Sequence, residues 1–283
     1  MSWSRFKFYC NEVSRLLERG DVVISAFENA RNSVLSREFG PELEPQGIQA
    51  SILTSLKNEN YTTEQVKEIL NIYDGLDVSG LTHKPNRIRR VGIYIGYLTF
   101  MYFLFSGIYY FSVIPQTISM FEVMEIPVSD VSMWFVNNWM VVFIIIMTLL
   151  VGALLVSRKI KEMFEYKEGV ESSIIYRLMF PKRVKTRYGK MISLICLPLH
   201  IAGRESDGIN DHIVQHFQAE KYSCQEISNS LSVLINENVS ALLEQSESYM
   251  RRIYIVVAVL IIFSIYAFVS SAYSSLFAMG EVL

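Results

Sequence analysis

Few residues in this chain stand at spacings that could do chemistry. The stretch DHIVQHF sets His212 and His216 four positions apart with Asp211 beside them, so a helix there would carry both imidazoles on one face. That is part of a zinc site, and His200 or Cys224 would have to supply the remaining ligands. The plainer reading is an exposed helix face. Cys196 lies in the apolar run SLICLPLH and reads as a small buried hydrophobe rather than a nucleophile. Gly189-Lys190 lacks the leading glycine and the following Ser or Thr of a P-loop. No serine or cysteine has a readable base partner. The residues therefore predict no enzyme, no cofactor and no metal, and any motor activity would have to come from a partner.

The elements that would position these residues are mostly apolar. The chain has 283 residues, 51% of them hydrophobic and only 19% charged, with a mean hydropathy of +0.27 and a net charge of −2. Nothing in that balance suggests nucleic acid. The apolar residues gather in three runs, Val91 to about Phe111, Met140–Val156 and Ile253 to about Leu276, none containing an ionisable residue. The first and third reach the ~20 residues needed to cross a hydrocarbon core, and the second sits at the short end. Arg87, Arg89 and Arg90 precede the first run, Arg158, Lys159 and Lys161 follow the second, and Arg251 and Arg252 precede the third. Ser112–Asn138 and the tail hold no Lys or Arg. Positive charge retained on one side predicts an amino terminus inside and a carboxyl terminus outside. Trp134, Trp139, Tyr109 and Tyr110 would then lie near the outer interface. The opening MSWSRFKFYC shows no signal-peptide pattern. Cys10, Cys196 and Cys224 all fall on the inner side, which implies a reduced compartment without disulfides.

An offset of 161 residues brings two parts of the chain into register. Thr62 and Gln65 meet Ser223 and Glu226, so each copy opens with the S/T-x-x-E/Q pattern of a capping box. Val66, Leu70 and Tyr73 meet Ile227, Leu231 and Leu234, an apolar stripe at helical spacing. Val78–Leu81 meets Val239–Leu242, a small-residue turn before a second helix, and Arg89-Arg90 then meets Arg251-Arg252 after one inserted residue. The shared order of cap, stripe, turn, arginine pair and span argues for duplication. Two like-oriented units need one inward span between them, which accounts for an odd number of spans. The expected fold is an all-α integral membrane protein with two cytoplasmic helical bundles of one repeat family and three transmembrane helices. Its expected parts are a bundle at 1–90, spans at 91–112, 139–156 and 251–276, an outer loop at 113–138, a second bundle at 157–250 and a tail at 277–283. Gly20 should close a first helix, Asp21 should cap the next, and Ile48, Ile52 and Leu56 should form a buried stripe.

With this order in view the chain resembles the inner-membrane platform proteins of type IV pili and type II secretion systems, the PilC/GspF family. The resemblance spans nearly the whole chain. Pro115 soon after the first span, Ile126-Pro127 in the outer loop, LMFPKRV at Leu178–Val184 and the turn Asp77-Val78-Ser79-Gly80 match the family's pattern. The second copy has Asn238-Val239-Ser240-Ala241 and no acid there. The short chain fits a compact type IVb pilus system. The resemblance implies a non-enzymatic scaffold of the bacterial inner membrane that couples a cytosolic hexameric ATPase, for assembly or retraction, to movement of pilin or pseudopilin subunits into a filament. Other inner-membrane assembly proteins, membrane lipid and further copies of the chain are the remaining expected partners. Candidate docking residues are Asp77, Ser79, Gly80, Asn238 and Ser240 in the turns, with Arg89, Arg90, Arg251 and Arg252, whose plainer role is headgroup contact. Gly92 and Gly96 form a G-x-x-x-G that packs either within the chain or between subunits. A membrane adaptor that recruits signalling proteins is the alternative function. A transporter is disfavoured by spans without ionisable residues.

Overall fold

Local chemistry sets the helix ends in the amino-terminal part of the chain. Ser2 accepts the Arg5 N–H and opens α1 (Trp3–Glu18). Gly20, at φ +95°, closes it: the Gly20 and Asp21 amides reach back to the Leu17 and Leu16 carbonyls, a conformation a Cβ would oppose. Asp21 does not cap the next helix. Val22 stands at that position without a side-chain cap, and the Asp21 carboxylate accepts from Asn29 instead. Then come α2 (Val23–Asn32), α3 (Val34–Glu38), α4 (Ile48–Asn58) and α5 (Thr63–Gly75), a 3-10 turn at Gly80–Thr82, and α6 (Asn86–Ile108). A π-helical turn (Tyr109–Val113) leads into α7 (Ile114–Met124), followed by α8 (Asp130–Phe164), α9 (Ile174–Met179), α10 (Lys182–Gly203), α11 (Asp211–Ala219) and α12 (Cys224–Val282). This computed structural model describes the backbone of residues 2–38, 47–58, 61–82, 86–124, 130–167, 169–203, 211–220 and 222–282. Among them the only extended pairing is a single bridge between Gly47 and Lys167.

The chain divides into two compact units, Met1–Pro85 with Lys161–Ser246, and Asn86–Ile160 with Glu247–Leu283. In the first, the segments expected to be two bundles share one core. Phe6 of α1 meets Tyr73 of α5 edge-on at 5.3 Å, and the Tyr73 hydroxyl donates to the Ile195 carbonyl of α10 at 2.9 Å. That carbonyl neighbours the one at Leu194, which Pro198 deprives of its helical donor. Ile48, Ile52 and Leu56 are buried as a stripe. A second seam runs through Tyr166. Its carbonyl accepts the Ile48 N–H, and its ring meets Trp3 at 5.5 Å. Tyr166 ends α8 at φ +54°, the place a glycine usually takes, and its burial holds it there.

The second unit is built from the apolar helices. Among the described residues three helices are long and apolar enough to cross a membrane, and only 17–22% of their most apolar windows is buried, so the rest needs an apolar surrounding. Gly92 lets α6 approach α8, since a Cβ there would stand 2.4 Å from Ser157 Oγ, whereas Gly96 has ordinary room. Tyr102 of α6 is bonded to Ser264 of α12 at 3.3 Å. Trp139 is 1% exposed, wedged against Tyr109 at 5.7 Å and Phe268 at 4.3 Å, so its ring packs inside this unit and does not face its surroundings. Trp134 and Tyr110 are exposed. The stretch 113–138, expected as a loop, contains α7 and the start of α8. Pro115 explains the π-helical turn before it, because its ring would clash with the Phe111 carbonyl in a regular α-helix and one extra residue in the turn relieves that. Ile126-Pro127 lies outside the described residues.

Candidate functional site

The turn after α5 was a candidate for docking a partner; its backbone lies along α12, while the Asp77 and Ser79 side chains are exposed. Gly75 ends α5 against Ser228, where a Cβ would lie 2.6 Å from its Oγ and 3.0 Å from its Cβ. The Asp77 N–H donates to Ser232 Oγ at 2.8 Å, and Asn236 Nδ2 donates to the Asp77 carboxylate at 3.4 Å. Gly80 then passes so close to Asn236 that a Cβ would meet its Oδ1 at 2.0 Å. Residues 75–80 are thus laid along a stripe of small polar residues, Ser228, Ser232 and Asn236, spaced four apart on α12. The spacing was visible in the sequence, but serine and asparagine inside an amphipathic helix gave no reason to single it out.

The turn itself is closed by Asp77. Its carboxylate accepts the Ser79 N–H at 3.0 Å and the Ser79 hydroxyl at 2.9 Å, and Thr82 Oγ1 donates to the Ser79 carbonyl. These bonds hold the Asp77 carboxyl below its ordinary value, the Ser79 N–H being the largest cause. A carboxylate kept ionised and supplied with donors is a poor general acid. Here it shapes a turn.

The turn expected at Asn238–Ala241 does not form. α12 runs unbroken through Asn238–Leu242, and Asn238 is buried in it, donating to the Leu234 carbonyl at 2.7 Å and accepting from Arg187 at 3.2 Å. Ser240 is exposed. The physical reason lies in two residues. Asp77 has Ser79 and Gly80 to make a turn, whereas Ala241 replaces the glycine with the best helix former and Asn238 satisfies its amide within the helix. Asn238 and Ser240 therefore stand on a continuous helix and not in a turn like that of Asp77–Gly80. Both caps form as expected: Thr62 with Gln65, and Ser223 with Glu226, each bond in both directions.

Arg89, Arg90, Arg251 and Arg252 are exposed in the unit of apolar helices, where Arg87 pairs with Glu247 at 3.4 Å. His216 stands beside Tyr222 at 3.4 Å and Glu220 at 3.8 Å, and His212 is exposed. The Asp211 side chain lies outside the described residues. Among those described, no three His, Cys, Asp or Glu converge on a point that could hold a metal ion. Cys196 is half-buried. The fully buried thiol is Cys10, which the sequence did not distinguish; burial, and then the Asp74 carboxylate, push it well above the ordinary thiol range. No family model matches the chain, and neither a curated protein nor a solved structure matches it.

Proposed function

We propose that this chain is a non-enzymatic membrane scaffold, the inner-membrane platform of a type IV pilus or type II secretion system. In this reading it passes the motion of a cytosolic hexameric ATPase to pilin or pseudopilin subunits leaving the bilayer. The observation that carries the reading is a packed helical unit, built from two separated segments of chain, joined in one polypeptide to three apolar helices. The resemblance in motif order and the one-sided placement of basic flanks support it. So does the continuity of α12, which leads from the packed unit into its apolar part without a loop. In this reading the packed unit is cytoplasmic, the carboxyl terminus is periplasmic and the two halves descend from a duplication. On that reading Asp77, Ser79 and Gly80 shape the turn, and docking falls to exposed charge on the packed unit, the Asp77 carboxylate included.

The test is a crosslinking pull-down of tagged full-length protein from its native host, with partners identified by mass spectrometry. Recovery of a P-loop ATPase together with a single-span pilin-like protein is the expected result. Recovery of self-crosslinks or a soluble signalling protein alone would overturn the reading and favour a membrane adaptor.

A further inference from the structure

Between α8 and the body of α10 the chain presents a surface that nothing in the fold covers. Ile174 and Leu178, one turn apart on α9, are 79% and 82% exposed. The opposite side of α9 is pinned: Tyr176 and Phe180 are buried with their rings 5.4 Å apart, and Tyr176 also meets Tyr188. The aliphatic pair is therefore held outward by a fixed aromatic face. Around it, Ser172–Lys190 carries six basic residues against one neighbouring acid, the exposed Glu171, which stands close to Gly189. Two of the six are engaged. Lys185 donates to the Arg177 carbonyl and stands 5.8 Å over the Tyr176 ring, and Arg187 bonds to Asn238. Arg177, Lys182, Arg183 and Lys190 are exposed and make no ion pair among the described residues.

We propose that α9 and the first turn of α10 bind the surface of an anionic bilayer. Ile174 and Leu178 enter the boundary between headgroups and acyl chains, while Arg177, Lys182 and Arg183 meet lipid phosphates. Charge complementarity selects this occupant. Exposed aliphatic side chains flanked by unpaired cations are the pattern of an interfacial segment, and each cation near an anionic leaflet strengthens binding about five-fold. A protein partner would be met by aromatic side chains at its centre, and here the aromatic rings point inward. The chain's own apolar helices keep a bilayer near, so a weak site suffices. This inference rests on the chain spanning a membrane and not on the platform reading.

The test uses full-length protein, one copy per nanodisc, in phosphatidylcholine alone and in phosphatidylcholine with 30% phosphatidylglycerol. Amide hydrogen exchange across residues 172–183 is expected to slow several-fold only in the anionic discs. The slowing should vanish in high salt and in the variant R177Q/K182Q/R183Q/K190Q, whose four changes are all on exposed side chains. Leu178→Glu should remove it as well. Equal exchange in both lipids overturns the proposal. So does slowing that needs a second copy per disc or an added acidic protein, which would assign this face to a protein partner.

Discussion

Gly75, Asp77 and Gly80 decide how closely the end of α5 lies on α12, and the three positions differ in what they tolerate. A methyl group at Gly75 would press on Ser228 Cβ, which no rotation moves, so the backbones must part. Gly75→Ala is expected to cost about 1–3 kcal/mol, read as a lower melting temperature of the detergent-solubilised chain. Ser228→Gly in that background should restore most of the loss; strict additivity of the two changes would refute the contact. Gly80→Ala meets only the amide end of Asn236, which can swing away once it releases Asp77, so its cost should be nearer about 1 kcal/mol. Asp77 also gives the turn a pH dependence. Its folded pKa is lowered, so its contribution is present above the ordinary carboxylate value and is lost as pH falls through the folded one. Melting temperature should therefore fall as pH drops below the ordinary carboxylate range, slightly less steeply in Asp77→Asn, since the group is exposed and solvent screens it. The thiols offer a third check. Cys10, fully buried with a raised pKa, should be the last of the three cysteines to react with maleimide at neutral pH, and should react together with global unfolding.

At the scale of elements, signals confined to one turn of helix were legible and signals of partnership were not. The capping boxes at Thr62 and Ser223, the glycine stop at Gly20 and the buried stripe at Ile48, Ile52 and Leu56 each depend on residues within a few positions of one another. The turn at Asn238–Ala241 was read by analogy with Asp77–Gly80. It failed because one glycine is replaced by alanine, a difference that periodicity does not weigh. That the Trp139 ring is buried could not be read from its place beside a span; only the approach of Tyr109 and Phe268 encloses it. The continuity of α12 can be tested directly. Ala241→Pro in an unbroken helix removes a hydrogen bond and clashes with the preceding turn, costing about 3 kcal/mol or more. A proline at the matching place of a real turn would be tolerated. A large drop in melting temperature with Ala241→Pro, and little change with the helix-compatible Ala241→Leu at the same position, is the expected pair of results. Equal tolerance of both would restore the turn and strengthen the repeat.

For the whole molecule, three apolar helices were plain from composition, because about 20 consecutive residues without charge have few other uses. That the segments 1–85 and 161–246 form one core was not plain. Each shows which of its faces is apolar, but Tyr73, Trp3 and Tyr166 carry no mark naming the other segment as their partner. Orientation across the membrane is an expectation from charge alone and is open to a direct measurement. Eight basic residues, Arg87, Arg89, Arg90, Arg158, Lys159, Lys161, Arg251 and Arg252, flank the apolar runs at the ends assigned to the inside, while Ser112–Asn138 contains none. Lys and Arg in short flanks resist translocation, so the packed unit should remain inside. Gln116→Cys, exposed on α7, should react with an impermeant maleimide in intact cells. Glu237→Cys, exposed on α12 within the packed unit, should react only after permeabilisation. The half-buried Cys196 and Cys224 lie in that same unit and give a same-side control. The reverse pattern would place the packed unit outside, beyond reach of any cytosolic ATPase, and would end the platform reading whatever the resemblance. Adding cations at Ser112 and Ser119 in the Gln116→Cys chain should erode the labelling of the outer segment, since the asymmetry that fixes orientation is the feature being removed.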